Sequence, residues 1–126
     1  MYTSYFAKIK QLPEKYICIS ICGKAPDWYN GLQYKKLAPK WEFFQEWKKT
    51  GDNNYYIKEY EEQVLSELTA KKVIRELKEI AQTDNIDNII LLCYEKPGDF
   101  CHRHLVAEWL SKNGYRCEEY GFNKLF

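Results

Sequence analysis

Residues 89–110 read IILLCYEKPGDFCHRHLVAEWL, and this stretch predicts a strand, a loop and a helix in that order. The continuous apolar run over residues 89–93 is typical of a central strand that is covered on both faces. A Pro-Gly-Asp sequence predicts a loop over residues 95–100. Apolar side chains then recur at helical spacing over residues 105–110, so a helix is expected to continue to about Lys112.

The rest of the chain continues this alternation of strands and helices. Further strands are predicted at residues 2–6, 16–22 and 115–120, a loop at 24–37, and helices at 39–49, 54–68 and 70–81. The pattern predicts one α/β domain over residues 1–126, a Rossmann-like three-layer sandwich with a mostly parallel sheet and helices on both faces. We expect the strands within 16–22 and 89–93 to be parallel neighbours in the middle of the sheet.

Composition narrows the class of protein. The chain has 126 residues and a formal net charge of +1, which suits one domain and argues against a general nucleic-acid coat protein. No apolar run approaches the length of a membrane span, so no membrane partner is expected. The five cysteines are an odd number with no Cys-x-x-Cys pair, which favours reduced thiols and a cytoplasmic location.

The chemistry is concentrated where the predicted helix begins, at Cys101, His102 and Arg103. Ligands of open α/β sheets bind beyond the carboxyl ends of the strands, where the N–H groups of a helix start attract anions. A solvent-accessible thiol at such a position is expected to have a lowered pKa. His102 is interpreted either as a group that moves a proton near neutral pH or as one that hydrogen-bonds backbone carbonyls and holds the shape of the loop. Arg103 can hold a phosphate or carboxylate. A glycine in the loop, Gly98, lets the backbone approach a ligand closely.

Helical geometry separates the two histidines. At about 100° per residue, His102 lies near the centre of the buried face and His104 lies roughly opposite, toward solvent. Cys93 is interpreted either as a buried small hydrophobe or as a second catalytic thiol. Glu95 is either a solvated loop carboxylate or a group that orients Arg103.

Two familiar kinds of site are not predicted. Phosphatase and sulfurtransferase loops need an Arg six residues after the Cys, but Asp99 follows Cys93 at that spacing and Ala107 follows Cys101. A structural zinc site needs four ligands, and a set made from Cys93, Cys101 and the two histidines fails because His104 points away. The sequence therefore predicts no metal and no cofactor.

Residues 91–103, LLCYEKPGDFCHR, closely resemble the signature of a bacterial and phage family known as domain of unknown function 488. In that family a strand bearing Cys-x-Glu leads through a short loop to Cys-His-Arg at the start of a helix. The likeness continues through residues 105–110. It implies a compact α/β domain whose marked positions correspond to Cys93, Glu95, Cys101, His102 and Arg103 of this chain.

The resemblance also has one departure. Many members carry Asp-x-Arg near the end of an early strand, and the corresponding residues 20–22 of this chain are Ser-Ile-Cys. Both the acid and the base are therefore replaced. Lys24 and Lys35 are candidates to supply the lost positive charge.

Two functions follow from these patterns. The first is binding of an anionic, phosphorylated or nucleotide-like ligand at the Cys-His-Arg segment. A protein of this kind is also a candidate thiol-dependent enzyme, with Cys101 or Cys93 as nucleophile and His102 as acid and base. The second is a non-catalytic module for a nucleotide or nucleic acid. In that module Arg103 holds the phosphate and residues 28–36 supply an aromatic and cationic cover.

Overall fold

Strand β4 (Ile89–Cys93) lies at the centre of the sheet in a computed structural model that describes residues 1–95 and 99–121. All five of its residues are buried. The sheet has five strands in the order β3-β2-β4-β1-β5, and every pair is parallel. The predicted parallel pairing of residues 17–21 with 89–93 is confirmed, since Ile17 pairs with Ile89 and Ser20 with Leu92.

Within the described residues, four α-helices and four further strands accompany β4. The strands are β1 (Tyr2–Tyr5), β2 (Ile17–Ser20), β3 (Leu32–Gln33) and β5 (Glu118–Glu119). The helices are α1 (Trp41–Thr50), α2 (Asn53–Gln63), α3 (Ala70–Ala81) and α4 (His102–Lys112). No helix in these described ranges is long and apolar enough to cross a membrane.

Alternate residues of β4 face two different cores, as expected for a strand covered on both sides. Ile89 and Leu91 pack in the larger core, to which all four α-helices contribute. Ile90 and Leu92 pack in the smaller core with Phe6, which belongs to a 3-10 helix over Phe6–Gln11. The predicted α/β class and layered arrangement are therefore confirmed, with short 3-10 structure and loops on the second face.

Capping residues explain where α3 begins and where α1 ends. Thr69 caps α3 by accepting a hydrogen bond from the Lys72 N–H, and Gly51 ends α1 with a φ of 69°, which glycine adopts without strain. The two-residue β3 lies inside the predicted loop 24–37 and was missed because so short a strand has no periodicity. The last predicted strand shrinks from residues 115–120 to Glu118–Glu119.

Candidate functional site

A cavity of about 590 Å³ opens at the carboxyl edge of β4, where α4 begins. This volume lies within the range of about 300–1,000 Å³ that small-molecule sites usually have. Most of the residues predicted for a site contribute to it. The predicted residues in its lining are Cys93, Cys101, His102, Glu95 and Lys24.

The floor of the cavity combines two thiols with an imidazole. Cys93 ends β4, and Cys101 immediately precedes α4, so the loop between them brings both sulfurs to the same edge. The Sγ atoms of Cys93 and Cys101 lie 3.5 and 3.9 Å from Nδ1 of His102. All three side chains are buried.

The hydrogen bond made by Nε2 of His102 determines whether Nδ1 of the same ring is a donor or an acceptor. Nε2 lies 2.7 Å from the backbone oxygen of Ile21. A carbonyl oxygen only accepts, so Nε2 carries the proton and donates this bond. In the neutral ring Nδ1 is then a free acceptor that faces both thiols. The confirmed burial of His102 follows from its helical position one turn before Val106.

Burial controls the protonation of the two floor thiols. Burial, reinforced by the neighbouring Cys93, raises the pKa of the Cys101 thiol, although His102 acts in the opposite direction. Contact with Cys101 acts to lower the pKa of Cys93, but Cys22 and burial outweigh this effect and the pKa is raised. The lowered pKa was predicted for a solvent-accessible Cys101, and that condition is not met because this side chain is only 4% exposed. Removal from solvent disfavours the charged thiolate and is the largest cause of the raised pKa of Cys101.

A third thiol, that of Cys22, reaches the cavity floor from the segment that follows β2. The Sγ of Cys22 lies 3.5 Å from that of Cys93, and the Cys22 N–H donates to the Ser20 Oγ. Cys22 occupies the position where the resemblance placed the missing base of Asp-x-Arg. Cys22 was not predicted as a site residue, although its place at the end of a predicted central strand was a usable signal.

Aromatic rings from α1 and α2 form one wall. The ring of Phe100 lies 5.4 Å from that of Trp47 and 4.9 Å from that of Tyr56. Trp41 is 69% exposed at the mouth of the cavity. The aromatic cover thus comes from these helices, because no lining residue in the described ranges belongs to 28–36. Four of the ten residues in α1 are aromatic, which is more than one buried stripe of a helix needs. This excess was the sequence signal for the aromatic wall.

Charged side chains surround the opening. Lys24 and Lys48 contribute positive charge and Glu95 contributes negative charge to the lining. The Tyr94 hydroxyl donates a 2.7 Å hydrogen bond to the backbone oxygen of Lys24, which joins the segments after β2 and β4. Lys35 is not among the described lining residues. Gly98, the remaining predicted ligand contact, lies outside the described residues.

Arg103 is placed differently from the other predicted residues. Its side chain has no exposed surface, and its Nε and one terminal nitrogen donate to the two carboxylate oxygens of Glu119 at 3.0 and 3.2 Å. Burial acts to lower the pKa of Arg103, but the bonds to Glu119 outweigh it and the pKa is raised. Thr3 also donates to Glu119, at 2.7 Å. The carboxylate that orients Arg103 is therefore Glu119 of β5 and not Glu95.

His104 lies outside the cavity lining and is half-buried, so it is less exposed than its helical position suggested. Burial and the nearby positive charge of Arg103 lower its pKa. It does not join the floor residues.

The floor also provides atoms that can bind a metal. Cys93, Cys101 and His102 offer donor atoms that all lie within 4.8 Å of one another. His104 was the fourth ligand of the set considered from the sequence, whereas the structure brings Cys22 to the edge of this group instead.

Comparison with known proteins now adds one finding. Residues 5–114 match the family model DUF488-N3a, which is described as the active DUF488-N3 subclade. No curated protein and no solved structure matches the chain significantly. The matched residues are most of the chain and include every floor side chain described above. The protein therefore belongs to the DUF488 family, within its DUF488-N3a subclade.

Proposed function

We propose that this protein binds a nucleotide-like anion in the cavity at the carboxyl edge of β4. The observation that carries the proposal is the combination of an aromatic wall with two lysines at one opening. Trp41, Trp47 and Phe100 supply aromatic rings, and Lys24 and Lys48 supply the positive charge.

The two kinds of contact suit two parts of one ligand. A planar base stacks on aromatic rings, and such stacking stabilises binding by about 1–3 kcal/mol per base. Lysine ammonium groups attract phosphate from the solvent side without fixing its orientation. The size of the cavity, about 590 Å³, accommodates a ligand of this class. Because Arg103 is occupied by Glu119, the lysines replace it as the proposed phosphate contacts.

Calorimetric titration tests this proposal with three probes: a nucleoside monophosphate, the matching nucleoside and inorganic phosphate. We expect the monophosphate to bind most tightly, since only it uses both the aromatic wall and the lysines. Lys24→Gln and Lys48→Gln should each weaken its binding, by about 1 kcal/mol for a partly solvated charge contact. Lys49→Gln is the matched control, because Lys49 is not among the described lining residues. Equal binding by all four proteins would contradict the proposal.

Thiol-dependent catalysis is a second candidate, favoured by the contact between Cys101 and His102. A neutral imidazole whose Nδ1 lies 3.9 Å from Sγ can accept the thiol proton when a substrate approaches. The raised pKa of Cys101 works against this candidate, since the thiolate is the reactive form. Burst kinetics that disappear in both Cys101→Ser and His102→Gln, but persist in Cys117→Ser, would support it.

The proposed setting is the cytoplasm. All five cysteines are free, as expected for a protein kept under reducing conditions. The proposed partner is a small nucleotide-like molecule. A single-stranded nucleic acid end that places one base in the cavity is the alternative, and a titration with a short oligonucleotide separates the two.

A further inference from the structure

The cavity floor has a property that nucleotide binding does not use. Cys93, Cys101 and His102 converge on one point with their donor atoms within 4.8 Å of one another. The donor set is the one that zinc prefers, with thiolate sulfur and imidazole nitrogen.

The distances agree with a tetrahedral metal site. Zinc bonds of about 2.3 Å to sulfur and about 2.0 Å to nitrogen give edges of about 3.8 Å between two sulfurs and about 3.5 Å between sulfur and nitrogen. The two sulfur–nitrogen distances to His102 are 3.5 and 3.9 Å. A metal ion at the centre of the group would therefore need only small movements of the three side chains.

The surroundings of His102 match those of a metal-binding histidine. Its Nε2–H donates to the Ile21 oxygen at 2.7 Å, which leaves Nδ1 as the unprotonated nitrogen that faces the sulfurs. Metal ligands of this type almost always donate their second ring N–H to a carbonyl or carboxylate, which fixes the ring and the tautomer. The ring of Tyr60 lies 5.7 Å away and limits rotation further.

Cys22 lies beside this group of three residues but outside it. Its sulfur lies 3.5 Å from that of Cys93, but it does not belong to the set in which every donor lies within 4.8 Å of every other. Three protein ligands with an open fourth position are typical of catalytic zinc sites, whereas structural sites have four. All three residues line the cavity, so a metal ion held by them would lie next to it.

We propose that Cys93, Cys101 and His102 bind one zinc ion on the cavity floor, with its fourth coordination position open to the cavity. This inference does not rest on nucleotide binding, and either can fail without the other. It conflicts with free-thiol catalysis by Cys101, because the metal would hold the same sulfur and the same ring nitrogen.

Cobalt(II) titration of the reduced, metal-free full chain tests the site, because Co²⁺ occupies zinc sites and reports its ligands by absorption. We expect one equivalent to produce a sulfur-to-cobalt charge-transfer band and the intense visible bands of a tetrahedral ion. The charge-transfer intensity should correspond to two thiolates, and one equivalent of Zn²⁺ should abolish both signals. Absence of the charge-transfer band, or an intensity of three or four thiolates, would overturn the proposal.

Variants assign the ligands. Cys93→Ser, Cys101→Ser and His102→Gln should each weaken Co²⁺ affinity by at least about tenfold, since even changes beyond the direct ligands cost that much. Cys18→Ser and Cys117→Ser are matched controls that should bind like the wild type. Cys22→Ser should also retain the charge-transfer band, and its loss there would overturn the three-ligand assignment.

Circular dichroism shows whether each variant is folded. If a variant does not fold, the wild-type protein still tests the proposal through the number of Co²⁺ ions that it binds and the number of thiolates that bind each ion. Zn²⁺ should also raise the melting temperature of the wild type. Unchanged affinity in folded Cys93→Ser and Cys101→Ser would overturn the proposal.

Discussion

At the scale of single residues, Arg103 shows how burial changes the role of a charged group. In sequence it is the natural anion clamp of the Cys-His-Arg segment, yet in the structure its guanidinium is fully buried against Glu119. The ring of Tyr5 lies 5.7 Å from it on one side. One terminal nitrogen has no hydrogen-bond partner among the described residues. The ion pair joins the start of α4 to β5 at the edge of the sheet.

A double-mutant cycle measures this link. Removing one partner of a buried ion pair leaves the other charge unpaired, so Arg103→Met and Glu119→Gln should each destabilise the fold by about 3–5 kcal/mol. The double variant should cost less than the sum, as measured by chemical denaturation. Arg103→Met combined with Glu95→Gln is the control and should be additive within about 0.5 kcal/mol. Coupling to Glu95 instead of Glu119 would contradict the assigned pair.

Thiol reactivity is a second prediction at this scale. Cys18 is the only one of the five cysteines that is not buried, although partial burial still raises its pKa. We expect iodoacetamide to label Cys18 first in the reduced, metal-free protein near neutral pH. Cys93 and Cys101 should react slowly, because the thiols are inaccessible and their pKa values are raised. Peptide mass spectrometry follows the rates, and rapid labelling of Cys101 would instead support free-thiol catalysis.

At the scale of elements, the position of a strand in the sheet decides what its residues contribute to stability. Leu91 of β4 is completely buried, whereas Leu32 of the edge strand β3 is 39% exposed. The two leucines are nearly aligned across the sheet, since both pair with Ile19 of β2 from opposite sides. They therefore form a matched pair in which only burial differs.

Substituting each leucine by alanine tests this difference. Leu91→Ala should lower the free energy of unfolding by about 2–5 kcal/mol, because it removes buried surface and leaves a cavity. Leu32→Ala should cost less than about 1 kcal/mol, since much of that side chain already contacts water. Urea denaturation measures both values. Similar losses for the two variants would contradict the strand order described here.

At the scale of the whole molecule, we expect His104 to make stability depend on pH. Its pKa is lowered from the usual 6.5 by burial and by Arg103, with Glu119 acting the other way. The unfolded chain therefore binds a proton at higher pH than the folded chain does. By linkage, stability should be constant above the unfolded pKa and fall as the pH decreases through the folded pKa.

Melting temperatures recorded between pH 8 and pH 5 test this dependence. This pH range lies above the one in which ordinary carboxyl groups titrate, about pH 4. The wild type should lose stability toward the acidic end, and His104→Gln should lose less. Parallel curves for the two proteins would show that His104 does not carry the effect.

The amino-acid sequence was sufficient to predict the central strand, the helix that follows it and the burial of His102. Each depends on side-chain periodicity within about twenty neighbouring residues, and the hydrophobic effect acts on that periodicity directly. The same local pattern identified Cys93, Cys101 and His102 as one group, because a short loop joins the strand to the helix. The alternation of elements along the chain was likewise sufficient for the parallel α/β class.

Which distant residues complete the group depends on the tertiary fold. Cys22 and Cys93 are 71 positions apart, and their contact depends on the register that makes β2 a neighbour of β4. Arg103 is buried because β5 places Glu119 beside it, and without that carboxylate the same guanidinium would remain in water. Pairing between strands and the desolvation of charges are cooperative properties of the whole fold, so no local pattern encodes them.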